Sequence, residues 1–275
     1  MKTQQQKAEA FRKLHEAGTF VIPNPWDIGS AKILADLGYQ ALATTSAGFA
    51  FTRGKPDGDG VIGRDDTLAN FAELVTATDL PVSADLQGGF GKDPKAVSET
   101  IRRAAEIGLC GGSIEDSTGD AANPIYDFGF AKERVAAAVE ATRASKHPFT
   151  LTARAENFLV GNPDLADTIK RLQAFQELGA DVLYAPALRT EADITSVVKA
   201  VDRPINVLVG AHTNPLTVAD LARIGVRRIS VGGGFYLAAM GALYRVAKDM
   251  KEKGTATFAE GAMPYAQLKT LFGGK

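Results

Sequence analysis

Short apolar or β-branched runs alternate with longer amphipathic stretches along the whole chain. The runs predict buried strands, and the stretches between them, where apolar positions recur every three or four residues, predict helices. Eight strand-helix units of roughly 34 residues fit the sequence, as in a (β/α)8 (TIM) barrel folded as one domain over residues 1–275. The predicted strands are Thr19–Ile22, Gln40–Thr44, Pro81–Ala84, Gly112–Ile114, Phe149–Ala153, Val182–Tyr184, Ile205–Leu208 and Arg228–Val231. Predicted helices include Ser30–Leu37, Pro94–Ile107, Asp164–Leu178 and Pro215–Ile224.

Glycines mark the ends of several predicted helices, where a left-handed cap is expected before the next strand begins. They are Gly38, Gly108, Gly179 and Gly225. Two polar, glycine-rich stretches, residues 52–64 and 117–130, predict long loops after strands 2 and 4. In a barrel both loops lie at the carboxyl-terminal face, where functional sites form.

A C-terminal extension, about residues 256–275, remains after eight units have been assigned. Its helical part, Phe258 to Phe272, has no evident packing partner within one barrel. We therefore expect it at a contact between subunits.

The composition favours a globular protein that binds small molecules. The chain has 275 residues, 45% of them hydrophobic, and 31 Lys and Arg against 32 Asp and Glu give a net charge of −1. The sequence has neither a basic excess nor basic runs mixed with aromatics, which are typical of nucleic-acid-binding proteins. It also has no long apolar segment of the kind that spans a membrane or directs secretion, so we expect a cytoplasmic protein. One cysteine, Cys110, allows neither an internal disulfide nor a cysteine metal cluster, and we expect it in the core.

Polar side chains follow the predicted strands where the hydrophobic pattern breaks. They are Ser46, Asp57 and Asp59 after strand 2, Asp85 after strand 3, Glu115 after strand 4 and Arg154 after strand 5. In a barrel these side chains converge at one face. Carboxylates gathered in a partly dry site repel each other unless a proton or a cation neutralises them, and oxygen ligands suit Mg²⁺, with Mn²⁺ as the alternative ion.

Each candidate also has a plain structural interpretation. A single acid here is about as often a solvated loop residue or a helix N-cap. Arg154 suits a substrate carboxylate or an ion pair with the acids, and Ser46 suits an oxyanion or a turn. Gly232–Gly234 after strand 8 are the runner-up site, for phosphate. His212 is expected to be a loop residue near the mouth of the barrel.

Five phrases resemble the isocitrate lyase/phosphoenolpyruvate mutase superfamily over nearly the full length. They are N-P-W-D-I-G-S-A, T-T-S-A-G, P-V-S-A-D-L-Q-G-G-F-G, G-G-S-I-E-D and T-A-R-A-E-N-F. The resemblance implies a (β/α)8 barrel whose terminal helix is exchanged between subunits of a homodimer or homotetramer. It also implies bound Mg²⁺ and small anionic 2-oxo acid substrates that react through an enolate.

The resemblance further implies roles for individual residues. Asp85 is the expected direct metal ligand, with Asp57 and Glu115 holding metal-bound waters. The oxo-carboxylate end of the substrate is expected on Ser46, Ala47, Gly48 and Arg154, with Asn123 in a loop that gates the site. We expect the catalytic residues to be Arg154, Ser46 and Asp57.

The chain departs from the superfamily pattern at three places. Gln87 replaces an acid beside the expected metal, so the surroundings of the ion carry one negative charge less. Residues 117–120 replace the lysine-cysteine-glycine-histidine loop of isocitrate and methylisocitrate lyases, and the lysine and histidine of the phosphonate branch are also absent. We expect a carbon-carbon lyase, similar to oxaloacetate decarboxylase or methylisocitrate lyase. The alternatives are carbon-phosphorus bond chemistry and an oxo-acid-binding protein without catalysis.

Overall fold

A computed structural model describes residues 2–58, 60–210 and 214–273 and contains one eight-stranded parallel sheet. The spatial order is β1-β8-β7-β6-β5-β4-β3-β2, so the first and last strands of the sheet are also the first two in the chain. This nearly closed barrel, surrounded by helices, confirms the predicted (β/α)8 fold. The strands are β1 Phe20–Ile22, β2 Leu42–Ala43, β3 Val82–Asp85, β4 Gly111–Glu115, β5 Thr150–Arg154, β6 Val182–Tyr184, β7 Ile205–Leu208 and β8 Arg228–Ser230.

The strand bounds differ from the prediction mainly at the site. Strands β3, β4 and β5 continue through Asp85, Glu115 and Arg154, which the sequence analysis placed just after the strands. These side chains are therefore held by backbone that is paired to neighbouring strands, as in the register pair Glu115 with Arg154. Strand β2 has only two residues instead of the predicted five.

The barrel closes between β1 and β2 through individual hydrogen bonds. Ala43 N–H donates to Pro23 O at 3.0 Å, and Asn24 Nδ2 donates to Thr44 O at 2.8 Å. Because Pro23 has no N–H, it cannot donate the reciprocal bond of a regular ladder. An asparagine side chain takes over part of the closure.

The helices begin with one that the sequence analysis did not predict, α1 Gln4–Leu14. Its Phe11 packs in an apolar cluster with Phe20, Ile22 and Cys110, which confirms Cys110 as a core residue. The others are α2 Ile28–Asp36, α3 Ser46–Thr52, α4 Arg64–Ala77, α5 Pro94–Glu106, α6 Phe128–Arg143, α7 Leu165–Leu178, α8 Glu191–Ala200, α9 Val218–Ile224, α10 Gly234–Lys253 and α11 Tyr265–Phe272.

The ends of the helices follow local sequence signals. Asp27 caps α2 by accepting a hydrogen bond from Ser30 N–H at 2.7 Å. The four glycines predicted to follow helices all have positive φ, between 85° at Gly38 and 109° at Gly179. Glycine adopts this backbone conformation without a Cβ clash, which confirms the predicted register of helix ends and strands.

The C-terminal extension is not one helix. A short 3-10 segment, Thr257–Gly261, precedes α11, and α11 contacts α2 of the same chain, with Phe272 beside Gly29. The expectation that this segment lacks any partner within one barrel is therefore wrong. Large apolar side chains remain exposed along α10 and α11, among them Leu243, Tyr244 and Tyr265. None of the helices in the described ranges has the length and apolar character needed to cross a membrane.

Candidate active site

A cavity of about 520 Å³ opens where the strands end and extends down into the barrel. Every strand contributes to its lining. The predicted residues that line it are Ser46, Ala47, Asp57, Asp85, Gln87, Glu115 and Arg154. The barrel thus brings together side chains that are more than 100 positions apart in the chain.

Arg154 lies at the centre of this group and contacts three carboxylates. Its Nη1 is 3.1 Å from Asp85 Oδ1, its Nη2 is 3.0 Å from Glu115 Oε2, and its Nε is 2.7 Å from Glu156 Oε1. Burial by itself would lower the pKa of the guanidinium, but the three carboxylates raise it well above its ordinary value. Arg154 is therefore a permanent cation, and its predicted ion pairs are present.

Asp85 receives a converging set of donors. Ser46 donates to Asp85 Oδ2 through its hydroxyl at 2.9 Å and its backbone N–H at 3.3 Å. The Asp85 N–H in turn donates to Thr44 Oγ1 at 3.0 Å. Ser46 is the first residue of α3, which Thr45 caps, so the end of β2 and the start of α3 fix both donors.

Asp57, in the loop after α3, carries the clearest sign of crowded negative charge. Burial and then repulsion from Asp85 raise the pKa of its carboxyl, against the opposing effects of a Ser46 hydrogen bond and of Arg154. A divalent cation between Asp57 and Asp85 would relieve this repulsion. Asp59 lies outside the described residues.

Glu115 and Gln87 complete the predicted metal group. Glu115 Oε1 accepts a hydrogen bond from Ser117 Oγ at 3.1 Å, and its backbone N–H donates to Gln87 O at 3.2 Å. Gln87 has a φ of 49°, a left-handed conformation that is costly for a side chain other than glycine. Gln87 is one of the residues that line the cavity.

The group suits Mg²⁺ better than a metal held by several protein ligands. Within residues 2–58, 60–210 and 214–273, no three His, Cys, Asp or Glu side chains lie close enough to hold an ion directly. Mg²⁺ usually keeps several waters and takes only one or two carboxylates. The all-oxygen set with repelling acids fits such an ion, which would take one or two of these carboxylates and keep several waters.

Behind Arg154 lies a buried network that the sequence analysis did not identify. Glu156, whose side chain is 1% exposed, donates its backbone N–H to Asp116 Oδ1 at 2.8 Å. Asp116 Oδ2 is 3.0 Å from Arg171 Nη1, which also donates to Tyr126 O at 2.9 Å. This network ties β4, β5 and α7 to the end of the loop after β4. Its signal in the sequence was Asp116, directly after Glu115, and Glu156, two positions after Arg154.

Two predicted residues lie outside the cavity lining. Gly48 is buried, and its N–H donates to Thr45 Oγ1 at 3.2 Å, so this amide serves the helix cap instead of facing a ligand. Asn123 is exposed, with its amide 3.5 Å from Asp120 Oδ2. The loop that carries Asn123 does line the cavity, through Ser117 and Asp120 among others.

The glycine triplet after β8 provides little of the phosphate cradle predicted as the runner-up site. Gly232 N–H donates to Asn24 Oδ1 at 2.9 Å, and Gly234 N–H donates to Val231 O at 3.0 Å. Amides already paired within the protein are not free to bind an anion. His212 lies outside the described residues.

The sequence matches the phosphoenolpyruvate phosphomutase family over residues 11–251. The chain belongs to this family. Its relatives are enzymes of the isocitrate lyase/phosphoenolpyruvate mutase superfamily, which confirms the predicted resemblance.

Individual relatives cover nearly the whole chain. A crystal structure from Burkholderia cenocepacia J2315, provisionally described as a lyase/mutase, has 52% sequence identity and a TM-score of 0.96, covering 98% of this chain and 97% of that one. Oxaloacetate decarboxylase of Pseudomonas paraeruginosa (strain DSM 24068 / PA7) is 28% identical over 86% of this chain and 80% of its own. Other relatives are 2-methylisocitrate lyases of several bacteria.

A more distant structure shares the fold alone. Phosphonopyruvate hydrolase, in complex with oxalate and Mg²⁺, has 22% sequence identity and a TM-score of 0.86, covering 97% of this chain and 95% of that one. The (β/α)8 architecture is therefore retained at low sequence identity.

Proposed function

We propose that this protein is a Mg²⁺-dependent lyase that cleaves a carbon-carbon bond in a small 2-oxo acid or a related carboxylic acid. The observation that carries the proposal is the contact of one partly buried cation, Arg154, with Asp85 and Glu115 at the mouth of the barrel. Such an arrangement offers a substrate both a carboxylate-binding cation and an oxygen-rich metal site.

Arg154, Ser46 and the metal ion would act on different parts of the substrate. Arg154 orients the substrate carboxylate through its planar guanidinium, which Asp85, Glu115 and Glu156 hold in place. Ser46, already a donor to Asp85, directs its hydroxyl at the same region of the cavity. When bound, Mg²⁺ supplies Lewis-acid stabilisation of the negative charge that develops on the oxo oxygen as the bond breaks.

Asp57 is the third expected catalytic residue. Burial raises the pKa of its carboxyl, which favours a role as proton acceptor, and the residue lines the cavity. Asn123 would reach a substrate only after the loop after β4 closed over the cavity, so any role for it belongs to a closed state.

The named curated relatives favour the lyase function, while the description of the matching family, phosphoenolpyruvate phosphomutase, keeps carbon-phosphorus chemistry as the alternative. Oxaloacetate decarboxylase and the 2-methylisocitrate lyases match at the level of sequence, whereas phosphonopyruvate hydrolase supports only the fold. That hydrolase is described with oxalate and Mg²⁺, a pair that the acids and arginine of this cavity also suit.

Turnover of a panel of acids tests the proposal. Oxaloacetate, 2-methylmalate-type acids and phosphonopyruvate are incubated with the protein and Mg²⁺, with EDTA as the control, and products are followed by NMR. We expect EDTA-sensitive release of pyruvate or a close relative from a carbon-carbon substrate. Turnover of phosphonopyruvate alone would establish the phosphonate alternative, and binding without consumption of any acid would establish a non-catalytic role.

We also propose that the protein is a homodimer or homotetramer. The exposed apolar side chains of α10 and α11, including Leu243, Tyr244 and Tyr265, form a surface that a second copy would cover. Exchange of α11 between subunits is part of this proposal, with α11 then packing on α2 of the second copy instead of on α2 of its own chain.

A further inference from the structure

The base of the cavity holds a second arginine whose surroundings differ from those of Arg154. Arg228 begins β8, is 5% exposed and points its side chain across the interior of the barrel. Its Nε donates to Asn206 Oδ1 at 2.9 Å, and its Nη2 donates to Thr152 Oγ1 at 2.9 Å. Both partners are neutral, although Arg228 lines the same cavity as the carboxylates.

Within the described part of the chain, Arg228 forms no salt bridge, and its buried Nη1 has no hydrogen-bond partner. Arg154, in contrast, contacts three carboxylates. Burial, together with repulsion from Arg154, lowers the pKa of Arg228 to about 10. The side chain is therefore still charged at neutral pH, as a fixed cation without a local counter-charge.

Protein atoms connect this cation to the mouth of the cavity. Asn206 Nδ2 donates to Ser230 Oγ at 3.0 Å, and Ser230 is hydrogen-bonded to Tyr184. The Tyr184 ring centroid is 5.0 Å from the guanidinium carbon of Arg154. Charges separated by buried side chains are screened less than charges in bulk water, so the field of Arg228 reaches the region where a substrate would bind.

An uncompensated buried cation is costly unless something nearby carries the opposite charge. We propose that Arg228 is a charge-selecting residue, whose field favours doubly charged anions in the cavity over singly charged ones and opposes the binding of cations there. The ligand class rests on the proposed function, and dicarboxylates are then the preferred oxo acids. The effect of Arg228 on a cation does not depend on that function.

The effect of removing Arg228 should depend on the charge of the ligand. Coulomb energy is proportional to ligand charge. Removing Arg228 should therefore reduce the affinity for a dianion by a factor that is about the square of the factor for a monoanion of the same shape. The same change should strengthen the binding of a dication, because a repulsion has been removed. Loss of a residue that only supports the fold would change the affinities for all three kinds of ligand in the same direction.

Oxalate and oxamate are suitable probes because they have nearly the same shape and differ by one charge. Calorimetry measures the binding of Mg²⁺ alone, and then of each anion at saturating Mg²⁺, to the wild type and to Arg228→Gln. In Arg228→Gln we expect the affinity for oxalate to fall about tenfold and the affinity for oxamate to fall about threefold. Mg²⁺ should bind several-fold more tightly. Arg228→Met is a second neutral variant in case the first does not fold, because apolar replacements of buried ions are often tolerated.

Two further variants serve as controls. Arg228→Lys keeps the charge but alters the hydrogen bonds to Asn206 and Thr152, so it should stay close to the wild type in all three affinities. Arg227→Gln removes a charge from the preceding residue, whose Nη1 donates to Gly18 O, and should change little.

Equal losses for the two anions, or weaker Mg²⁺ binding in both neutral variants, would overturn the proposal and assign Arg228 a structural role. If the wild type consumes oxo acids and Arg228→Gln binds all three ligands with the same affinities as the wild type, the proposal is also overturned, while the proposed function stands. If the wild type binds Mg²⁺ but neither anion, the lyase proposal fails, and tighter Mg²⁺ binding in Arg228→Gln still supports the charge-selecting role.

Discussion

Asp116 gives a test of the buried network through the pH dependence of stability. Its side chain is 1% exposed, and burial, with the nearby charge of Glu156, raises its pKa from 3.8 to about 7, against a hydrogen bond from Glu156 N–H and the charge of Arg171. The folded protein therefore binds more protons at this position than the unfolded chain between about pH 4 and about pH 7. The stability contributed by this group is fully present below the lower pKa and is lost as pH rises through the higher one.

The size of the effect follows from the pKa difference. One pKa unit corresponds to about 1.4 kcal/mol, so the rise from 3.8 to about 7 corresponds to about 4 kcal/mol of unfolding free energy. Asp116→Asn removes the titration but keeps an oxygen that can accept the hydrogen bond from Glu156 N–H. It leaves Arg171 with Asp167 at 2.6 Å as a carboxylate partner.

Urea unfolding of both proteins, followed by circular dichroism from about pH 4 to about pH 8, measures the difference directly. We expect the stability of the wild type relative to Asp116→Asn to fall by up to about 4 kcal/mol as pH rises across this range. Subtracting the variant cancels the titration of distant groups. A difference that stays constant, or that grows with pH, would show that Arg171 keeps Asp116 ionised throughout and would refute the reasoning.

Three further predictions concern the metal, its neighbour and the assembly. Asp85→Ala should abolish EDTA-sensitive turnover while far-UV circular dichroism stays unchanged, and full retained activity would exclude the metal site. Gln87→Glu should tighten Mg²⁺ binding several-fold in calorimetry because it adds a negative charge at the cavity wall, whereas an unchanged affinity would place this side chain away from the ion. Leu243→Asp, at a position with 58% exposure on α10, should shift the mass measured by light scattering to that of a monomer, and an unaltered oligomer would place the interface elsewhere.

The architecture and the main acidic positions could be predicted from the amino-acid sequence alone. Strand and helix periodicity depends on which face of each element is buried, and a glycine before a strand needs only its own backbone, so both signals can be read locally. The same logic located Asp85, Glu115 and Arg154 at strand ends to within one residue. Helix α1 escaped prediction because its apolar face is short and its sequence is mostly polar, and only packing of Phe11 under the barrel gives it a place.

The pairing of these charges, in contrast, became visible only in the folded protein. Asp85 and Arg154 are 69 residues apart. No local pattern indicates that Arg154 contacts three acids while Arg228 contacts none of the acids that the structure describes. The network of Asp116 and Arg171 and the isolated charge of Arg228 arise from the way the strands close into a barrel. Pairing and desolvation depend on distances across the fold, which spacing along the chain does not specify.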